Sequence, residues 1–287
     1  MTEIIQSLAD ISNRYDAVLC DVWGCFHNGV RPYLAAEQAL TAFRAAGGCA
    51  VLLTNAPRPE DAVLKQLRAM KADEGAWDAI ASSGGAARDS VRNGDWGKKV
   101  HHIGTPGRDD AFFDGAGVEK VRMEDAESIV CTGLRNDRTE TPADYEDELT
   151  EAKLRGLKFL CANPDLVVDV EDERRYCAGA LAMLYREKGG DVTEYGKPHP
   201  QIYDYARRVI AKASGRVVSD DRILCIGDGI RTDVAGAIGE GLDCLFVSGG
   251  LAAAECGPDV ENPVLEKVET YLAGHQLSPR YTIGRLR

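Results

Sequence analysis

The sequence contains no long apolar run and no excess of positive charge. No window approaches the ~18 uninterrupted apolar residues that a membrane helix requires, and residues 1–15 lack the basic-then-apolar order of a signal peptide. We therefore expect a soluble, cytoplasmic protein with no membrane partner. The 46 acidic and 34 basic side chains give a net charge of −12. Because such a surface repels phosphate backbones, we also expect no nucleic-acid partner.

The nine cysteines include no CxxC pair. Most of them lie inside apolar runs, as Cys20, Cys225 and Cys244 do. This distribution argues against a disulfide framework or a zinc site and predicts buried, reduced thiols.

Four short apolar runs each end in a polar or glycine-rich turn, at residues 17–20, 50–53, 223–226 and 244–247. Unbroken apolar runs are typical of strands buried on both faces of a parallel sheet. Helical patterns separate the runs, at residues 35–45, 60–70 and after Pro200. The alternation predicts a doubly wound α/β sheet, whose ligand site lies at the carboxyl ends of the strands.

The same pattern starts again in the middle of the chain, with strands predicted at residues 99–103, 128–132 and 157–161. Thr141-Pro142 is typical of the start of a helix, which here is charged. The sequence therefore predicts a second α/β domain over residues 81–190, inserted into a first domain formed by residues 1–80 and 191–287. For the last dozen residues we expect a solvated or edge-packed tail.

Polar residues that carry chemistry stand at four strand ends or helix starts: Asp21-Val22-Trp23-Gly24, Thr54-Asn55, Gly196-Lys197-Pro198, and Gly227 to Asp233. Asp228 and Asp233 lie five positions apart in a glycine-rich turn, an arrangement expected for a hard divalent cation. The helix start after Thr54 favours an anion. Singly, each feature also fits a turn residue, a helix cap or a solvated lysine.

Together and in this order, the four segments resemble the motif set of the haloacid dehalogenase (HAD) superfamily of phosphohydrolases. The 143 positions between Thr54 and Lys197 leave room for an inserted cap domain. The resemblance extends to the C2-capped class IIA group, which includes NagD-like sugar phosphatases and nitrophenyl phosphatases. Three segments look like that group's sequences: Phe26 to Gly29, Leu53 to Asn55, and Ala162 to Asp165. It implies a Rossmann-like core and a C2-type α/β cap that selects the substrate.

The resemblance also implies a mechanism. Asp21 would attack phosphorus and form an aspartyl phosphate. Magnesium would be held by the Asp21 carboxylate, the backbone carbonyl of Trp23, and Asp228, and would neutralise charge on the phosphoryl group. Asp233 would orient the metal waters or Lys197.

Other residues would bind the substrate. The implied phosphate-binding groups are Thr54, Lys197 and the backbone N–H groups of Gly24 and Asn55. In the cap, Asn163 and Asp165 would belong to a substrate-facing loop, although a turn explains these two residues equally well. The implied partner is a small phosphorylated metabolite, and the oligomeric state stays open between a monomer and a homodimer.

Trp23 departs from the family pattern, because HAD phosphatases carry there a second Asp that protonates the leaving oxygen. An indole exchanges no proton at neutral pH, so general acid–base help of about 10²–10⁴-fold is missing unless another group, such as His27 or Asp165, supplies it. Three interpretations remain. The chain is a phosphatase for acyl or aryl phosphates or with a donor elsewhere, a degenerate member that binds a phosphometabolite with little turnover, or a dehalogenase. We expect a magnesium-dependent phosphatase.

Overall fold

A computed structural model of the chain describes residues 2–170 and 173–287. These residues divide into two compact units. The larger unit contains residues up to Thr54, Leu64–Ala81 and Tyr203–Arg287, and the smaller unit contains Asn55–Val63 and Ser82–Ile202. The domain boundaries after residues 80 and 190 remain a prediction. No helix in the described ranges combines the length and the apolar character needed to cross a bilayer.

Strands and helices alternate along most of the described chain. The strands are β1 (Glu3–Ile4), β2 (Ala17–Asp21), β3 (Cys49–Thr54), β4 (Ala79–Ser82), β5 (Lys99–Ile103), β6 (Glu119–Lys120), β7 (Ser128–Cys131), β8 (Lys158–Cys161), β9 (Val167–Val170), β10 (Glu173–Tyr176), β11 (Asp191–Glu194), β12 (Ile223–Gly227), β13 (Asp243–Val247) and β14 (Tyr281–Ile283). The α-helices are α1 (Leu34–Ala45), α2 (Glu60–Ala69), α3 (Ser83–Asn93), α4 (Glu146–Leu154), α5 (Ala178–Glu187), α6 (Pro200–Ser214), α7 (Ala235–Gly239), α8 (Ala253–Cys256) and α9 (Leu265–Gly274).

The first sheet has seven strands in the order β1-β14-β13-β12-β2-β3-β4. Strand β12 lies at its centre and pairs in parallel with β13 on one side and β2 on the other, and β2 pairs in turn with β3. Every residue of β2 and β12 is buried, as unbroken apolar runs require. This arrangement confirms the predicted α/β class with a parallel core sheet. The strand order reverses between β2 and β12, which is the switch point where ligands bind in such folds.

The second sheet has five strands in the order β11-β8-β7-β5-β6, and all of its pairs are parallel. The three strands predicted in the middle of the chain are β5, β7 and β8. Its packed core includes Tyr145, Phe159 and Tyr185, each at most 1% exposed. Strands β9 and β10 form a separate antiparallel pair, which the sequence did not indicate.

Two segments differ in detail from expectation. The charged helix starts as a 3₁₀ turn over Pro142–Tyr145 before α4, and the backbone N–H of Thr141 donates to Asp144 Oδ2 at 2.7 Å. In the expected tail, Tyr281–Ile283 form the fully buried strand β14 between β13 and β1. The aromatic and β-branched side chains of this short segment favour a strand, although arginines flank it.

Candidate active site

The site begins at the carboxyl ends of β2 and β12, the two central strands of the seven-stranded sheet. Asp21 is the last residue of β2 and Asp228 follows β12, and Cys20 pairs with Ile226 in the register. Both carboxylates are buried, at 7% and 3% exposure. Ligand atoms of Asp21, Asp228 and Cys25 all lie within 4.8 Å of one another. The structure thus brings together the predicted nucleophile and a predicted metal ligand.

Cys25 is the member of this cluster that sequence reasoning did not assign. Its thiol is buried. Burial, reinforced by the charges of Asp228 and Asp21, raises the pKa of the Cys25 thiol well above its ordinary value. The only signal in the sequence is its position four residues after Asp21, inside the loop that leaves the strand.

The loop after β2 turns at Gly24, which has a φ of +89°. A Cβ atom at Gly24 would overlap the carboxylate of Asp228, so the close approach of loop and carboxylate requires glycine. The Gly24 N–H donates to the carbonyl of His27 at 2.8 Å. Gly24 therefore closes the loop and admits Asp228, and its predicted contact with phosphate stays a prediction.

Trp23 and His27 occupy the same loop with opposite exposure. The Trp23 side chain is 46% exposed, whereas His27 is 3% exposed. The Trp23 indole Nε1 lies 3.3 Å from where a Cβ on Gly29 would stand. His27 Nδ1 accepts the Gly29 N–H at 3.0 Å, and burial lowers the pKa of His27. His27 thus supports the loop as a buried, neutral imidazole.

Asp233 supports the turn that follows β12. Its Oδ2 accepts the Gly229 N–H at 3.1 Å and the Thr232 hydroxyl at 3.2 Å. A Cβ atom at Gly227 would overlap the Asp233 side chain. The turn continues as a π-helical segment over Ile230–Val234. These contacts fix the course of the backbone directly after Asp228.

Asp228 is also oriented by the loop that follows β13, a contact that the sequence did not reveal. Its Oδ2 accepts the Leu251 N–H at 3.0 Å, and a Cβ at Gly250 would overlap the same oxygen. This loop is tied to the segment after β14, because the Gly249 N–H donates to the Gly284 carbonyl at 2.7 Å. Residues late in the chain therefore determine where the Asp228 carboxylate points.

In the smaller unit, Asn55 and Lys197 are bonded to each other. Lys197 is 2% and Asn55 is 8% exposed. The Lys197 N–H donates to Asn55 Oδ1 at 2.7 Å, and Asn55 Nδ2 donates to the Lys197 carbonyl at 3.1 Å. The same Nδ2 donates to Asp165 Oδ1 at 2.8 Å. Three residues predicted in separate roles thus form one hydrogen-bonded group.

Asn163 and Asp165 form a tight turn. Asn163 Oδ1 accepts the Asp165 N–H at 3.0 Å, which is an Asx turn. A Cβ at Gly179, at the start of α5, would overlap the Pro164 carbonyl. The turn that the sequence allowed for these residues is present, and their contact with substrate stays a prediction.

The predicted site residues therefore fall into two groups. Thr54 ends β3 directly after Leu53, the register partner of Asp21. The larger unit contains Asp21, Trp23, Gly24, Thr54, Asp228 and Asp233, and the smaller unit contains Asn55, Asn163, Asp165 and Lys197.

The carboxylate pair fits a magnesium ion. Two like charges buried side by side are costly unless a cation neutralises them. Carboxylate oxygens are hard ligands, and Mg²⁺ is commonly held by one or two carboxylates together with waters. Asp21 and Asp228 supply this donor set.

Two family models match the chain. The haloacid dehalogenase-like hydrolase model matches residues 18–119, and a HAD-hydrolase-like model matches residues 194–269. Comparison with curated proteins gives no match.

Solved structures resemble the chain over most of its length. A haloacid dehalogenase-like hydrolase from Brucella suis 1330 is 39% identical, with a TM-score of 0.84, over 99% of this chain and 100% of that chain. A p-nitrophenyl phosphatase from Archaeoglobus fulgidus is 24% identical, with a TM-score of 0.71, over 94% and 96%. A glycerol phosphate phosphatase from Mycobacterium tuberculosis in complex with calcium is 25% identical, with a TM-score of 0.65, over 84% and 68%.

Proposed function

Because the chain belongs to the family of haloacid dehalogenase-like hydrolases, we propose that it is a magnesium-dependent phosphatase acting on a small phosphorylated metabolite. The observation that carries this proposal is the buried Asp21–Asp228 pair at the carboxyl ends of the two central strands. The phosphatases from Archaeoglobus fulgidus and Mycobacterium tuberculosis, which share the fold, support the proposed reaction class.

Asp21 is the proposed nucleophile. One of its carboxylate oxygens attacks phosphorus, the bond between phosphorus and the leaving oxygen breaks, and an aspartyl phosphate forms. Water then attacks this phosphorus, releases inorganic phosphate and regenerates the carboxylate. Burial of Asp21 keeps bulk water away from the carboxylate and strengthens the electrostatic interactions around it.

The remaining residues are proposed to bind magnesium and the phosphoryl group and to orient them. Asp21, Asp228 and the Trp23 carbonyl would hold magnesium, which when bound neutralises charge on the phosphoryl oxygens. The Thr54 hydroxyl and the Lys197 ammonium are the proposed side-chain ligands of these oxygens. Asp233 supports the turn that carries Asp228.

The proposed substrate has a leaving group that departs without a proton, such as an aryl or acyl phosphate. Trp23 stands where the family carries its general acid, and an indole N–H does not serve as one. His27 is buried and its Nδ1 is already used by the Gly29 N–H. Asp165 Oδ1 accepts from Asn55. Neither side chain is assigned the role of the missing acid.

The dehalogenase interpretation is less favoured than the phosphatase. A halide leaves without a proton, which would suit Trp23, but dehalogenation does not use a metal site. The close pairing of Asp228 with Asp21 is therefore better explained by phosphoryl transfer.

The first test is the Asp21→Asn variant with p-nitrophenyl phosphate in the presence of magnesium. An amide cannot form the acyl phosphate, so turnover should fall by about 10³-fold or more. Asp204→Asn is the matched control, because Asp204 is an exposed helix residue (73%). Unchanged phosphate release by Asp21→Asn would refute the mechanism. Tight binding of a phosphometabolite by wild type with no phosphate release would identify a degenerate member instead.

Trp23 provides a second test, in which wild type and Trp23→Asp are compared on aryl and alkyl phosphates. Wild type should hydrolyse the aryl ester at least about 10²-fold faster, because the missing acid matters most for a poor leaving group. Trp23→Asp should raise the alkyl rate and leave the aryl rate nearly constant. Trp96→Phe is the control, since Trp96 is a buried tryptophan of the smaller unit. Equal wild-type rates on both esters would show that a proton donor exists elsewhere.

A further inference from the structure

We infer that Asn55 is a positioning residue that holds the main chain of Lys197 and couples it to Asp165. The inference rests on the proposed function only in treating Lys197 as a phosphate ligand. The structural basis is a set of hydrogen bonds that join Asn55, Lys197 and Asp165 in the smaller unit.

Two hydrogen bonds join the Asn55 side chain to the main chain of Lys197. The side-chain amide of Asn55 accepts from the backbone N–H and donates to the backbone carbonyl of the same residue, at 2.7 and 3.1 Å. Two hydrogen bonds to one residue fix both its position and its orientation, as a single bond does not. Both residues are buried, so a group left unpaired there is not simply repaired by bulk water.

Asp165 completes the bonding of the Asn55 amide. Nδ2 has two hydrogens, and it donates to Asp165 Oδ1 at 2.8 Å as well as to the Lys197 carbonyl. The group therefore uses both donor hydrogens and the acceptor oxygen of asparagine. Aspartate at position 55 would lose the donors and place a second carboxylate against Asp165.

Two glycines beside this group pack closely against Pro164. Gly196, which precedes the lysine, has no room for a Cβ atom, since Pro164 and Asn55 Oδ1 occupy that space. Asp165 is held by Asn163 Oδ1, and Gly179 packs on the Pro164 carbonyl. A shift in the Asn163–Asp165 turn is therefore transmitted to Lys197 through Asn55. In this arrangement Asp165 acts through Asn55, and its Oδ1 is engaged by the protein.

Hydrogen exchange of the Lys197 amide tests the inference directly, because this N–H donates to Asn55. In Asn55→Ala the amide should exchange about tenfold faster or more. Asp165→Ala removes one bond of the group and should accelerate the exchange less, whereas Asp165→Asn retains an acceptor and should restore protection. Asn262→Ala is the matched control, since Asn262 Nδ2 also donates to a carboxylate, Asp259, at 2.8 Å, but in an exposed position. It should leave Lys197 exchange unchanged.

Kinetics give the second readout. In Asn55→Ala the kcat for p-nitrophenyl phosphate should fall by about 10–10²-fold, because a small displacement of a substrate-binding group is costly. The double variant Asn55→Ala/Asp165→Ala should be no slower than Asn55→Ala alone. Additive losses would show that Asp165 contacts substrate independently of Asn55.

The outcomes separate this inference from the proposed function. Wild-type exchange of the Lys197 amide in both Asn55→Ala and Asp165→Ala would overturn the positioning role, whatever the activity. If Asn55→Ala does not fold, the comparison of Asp165→Ala with Asp165→Asn still shows whether Asp165 affects exchange of the Lys197 amide. Accelerated exchange together with full activity of Asp21→Asn would leave the positioning role standing and remove the phosphatase mechanism.

Discussion

The two sheets of this protein are both parallel, but the buried carboxylates beyond their carboxyl ends have different surroundings. In the seven-stranded sheet, Asp21 and Asp228 face each other and a thiol within 4.8 Å. In the five-stranded sheet, Asp109 lies beyond β5 and is 4% exposed. It accepts from Thr132 Oγ1 at 2.9 Å, the Thr105 N–H at 2.8 Å and Arg108 Nε at 3.2 Å.

The difference separates a structural acid from the two acids proposed to be functional. Asp109 is paired with Arg108 and hydrogen-bonded within its own unit, so its burial requires no ion from solution. Asp21 and Asp228 place two like charges close together, and a cation shared between them would offset their repulsion. Burial alone therefore does not distinguish a proposed catalytic carboxylate from a structural one, and the groups that surround it have to be compared as well.

The largest expected effect is that of Asp228→Asn. Turnover in magnesium should fall by about 10³-fold, because a proposed metal ligand loses its charge. The free energy of unfolding measured in EDTA should rise, because the repulsion with Asp21 disappears. Urea denaturation and steady-state kinetics measure the two quantities. A less stable variant in EDTA would contradict the proposed difference between the sheets.

Asp109→Asn should lower stability and leave turnover nearly unchanged, the opposite of the result expected for Asp228→Asn. An amide cannot serve three donors as a carboxylate does, so the free energy of unfolding should fall by about 1.5–3 kcal/mol. The kcat per folded molecule should stay within about twofold, because such a substitution acts through stability. Asp110→Asn is the control, since Asp110 is exposed and pairs only with Lys120 among its salt bridges in the described residues. A large loss of kcat with unchanged stability would give Asp109 a functional role.

A smaller effect concerns pH and His102, which is bonded to Thr132 beside Asp109. Burial lowers the pKa of His102 from 6.5 to about 4. The unfolded chain therefore binds this proton first, so stability is full above pH 6.5 and is lost as pH falls towards 4. The loss between pH 7 and pH 5 should be about 2 kcal/mol. His102→Gln should flatten that part of the curve measured by urea denaturation.

Much of the fold followed from unbroken apolar runs, because a strand buried on both faces has no polar positions. Pairing of such strands also explains why Asp21 and Asp228 meet. Strands β9 and β10 were missed, since four residues carry little periodic signal. The Asn55–Asp165 bond spans 110 positions, and the Leu251 N–H is a donor that nearly any residue supplies. Neither contact leaves a trace in local sequence.

The burial of all nine thiols has a practical consequence for spectroscopy. Burial raises the pKa of Cys49 to about 11 and of Cys177 to about 12, so little thiolate is present at neutral pH. A cysteine introduced at Val217, which is 86% exposed, should therefore react with maleimides far faster than the native thiols. A fluorophore or spin label can therefore be attached there without removing any native cysteine.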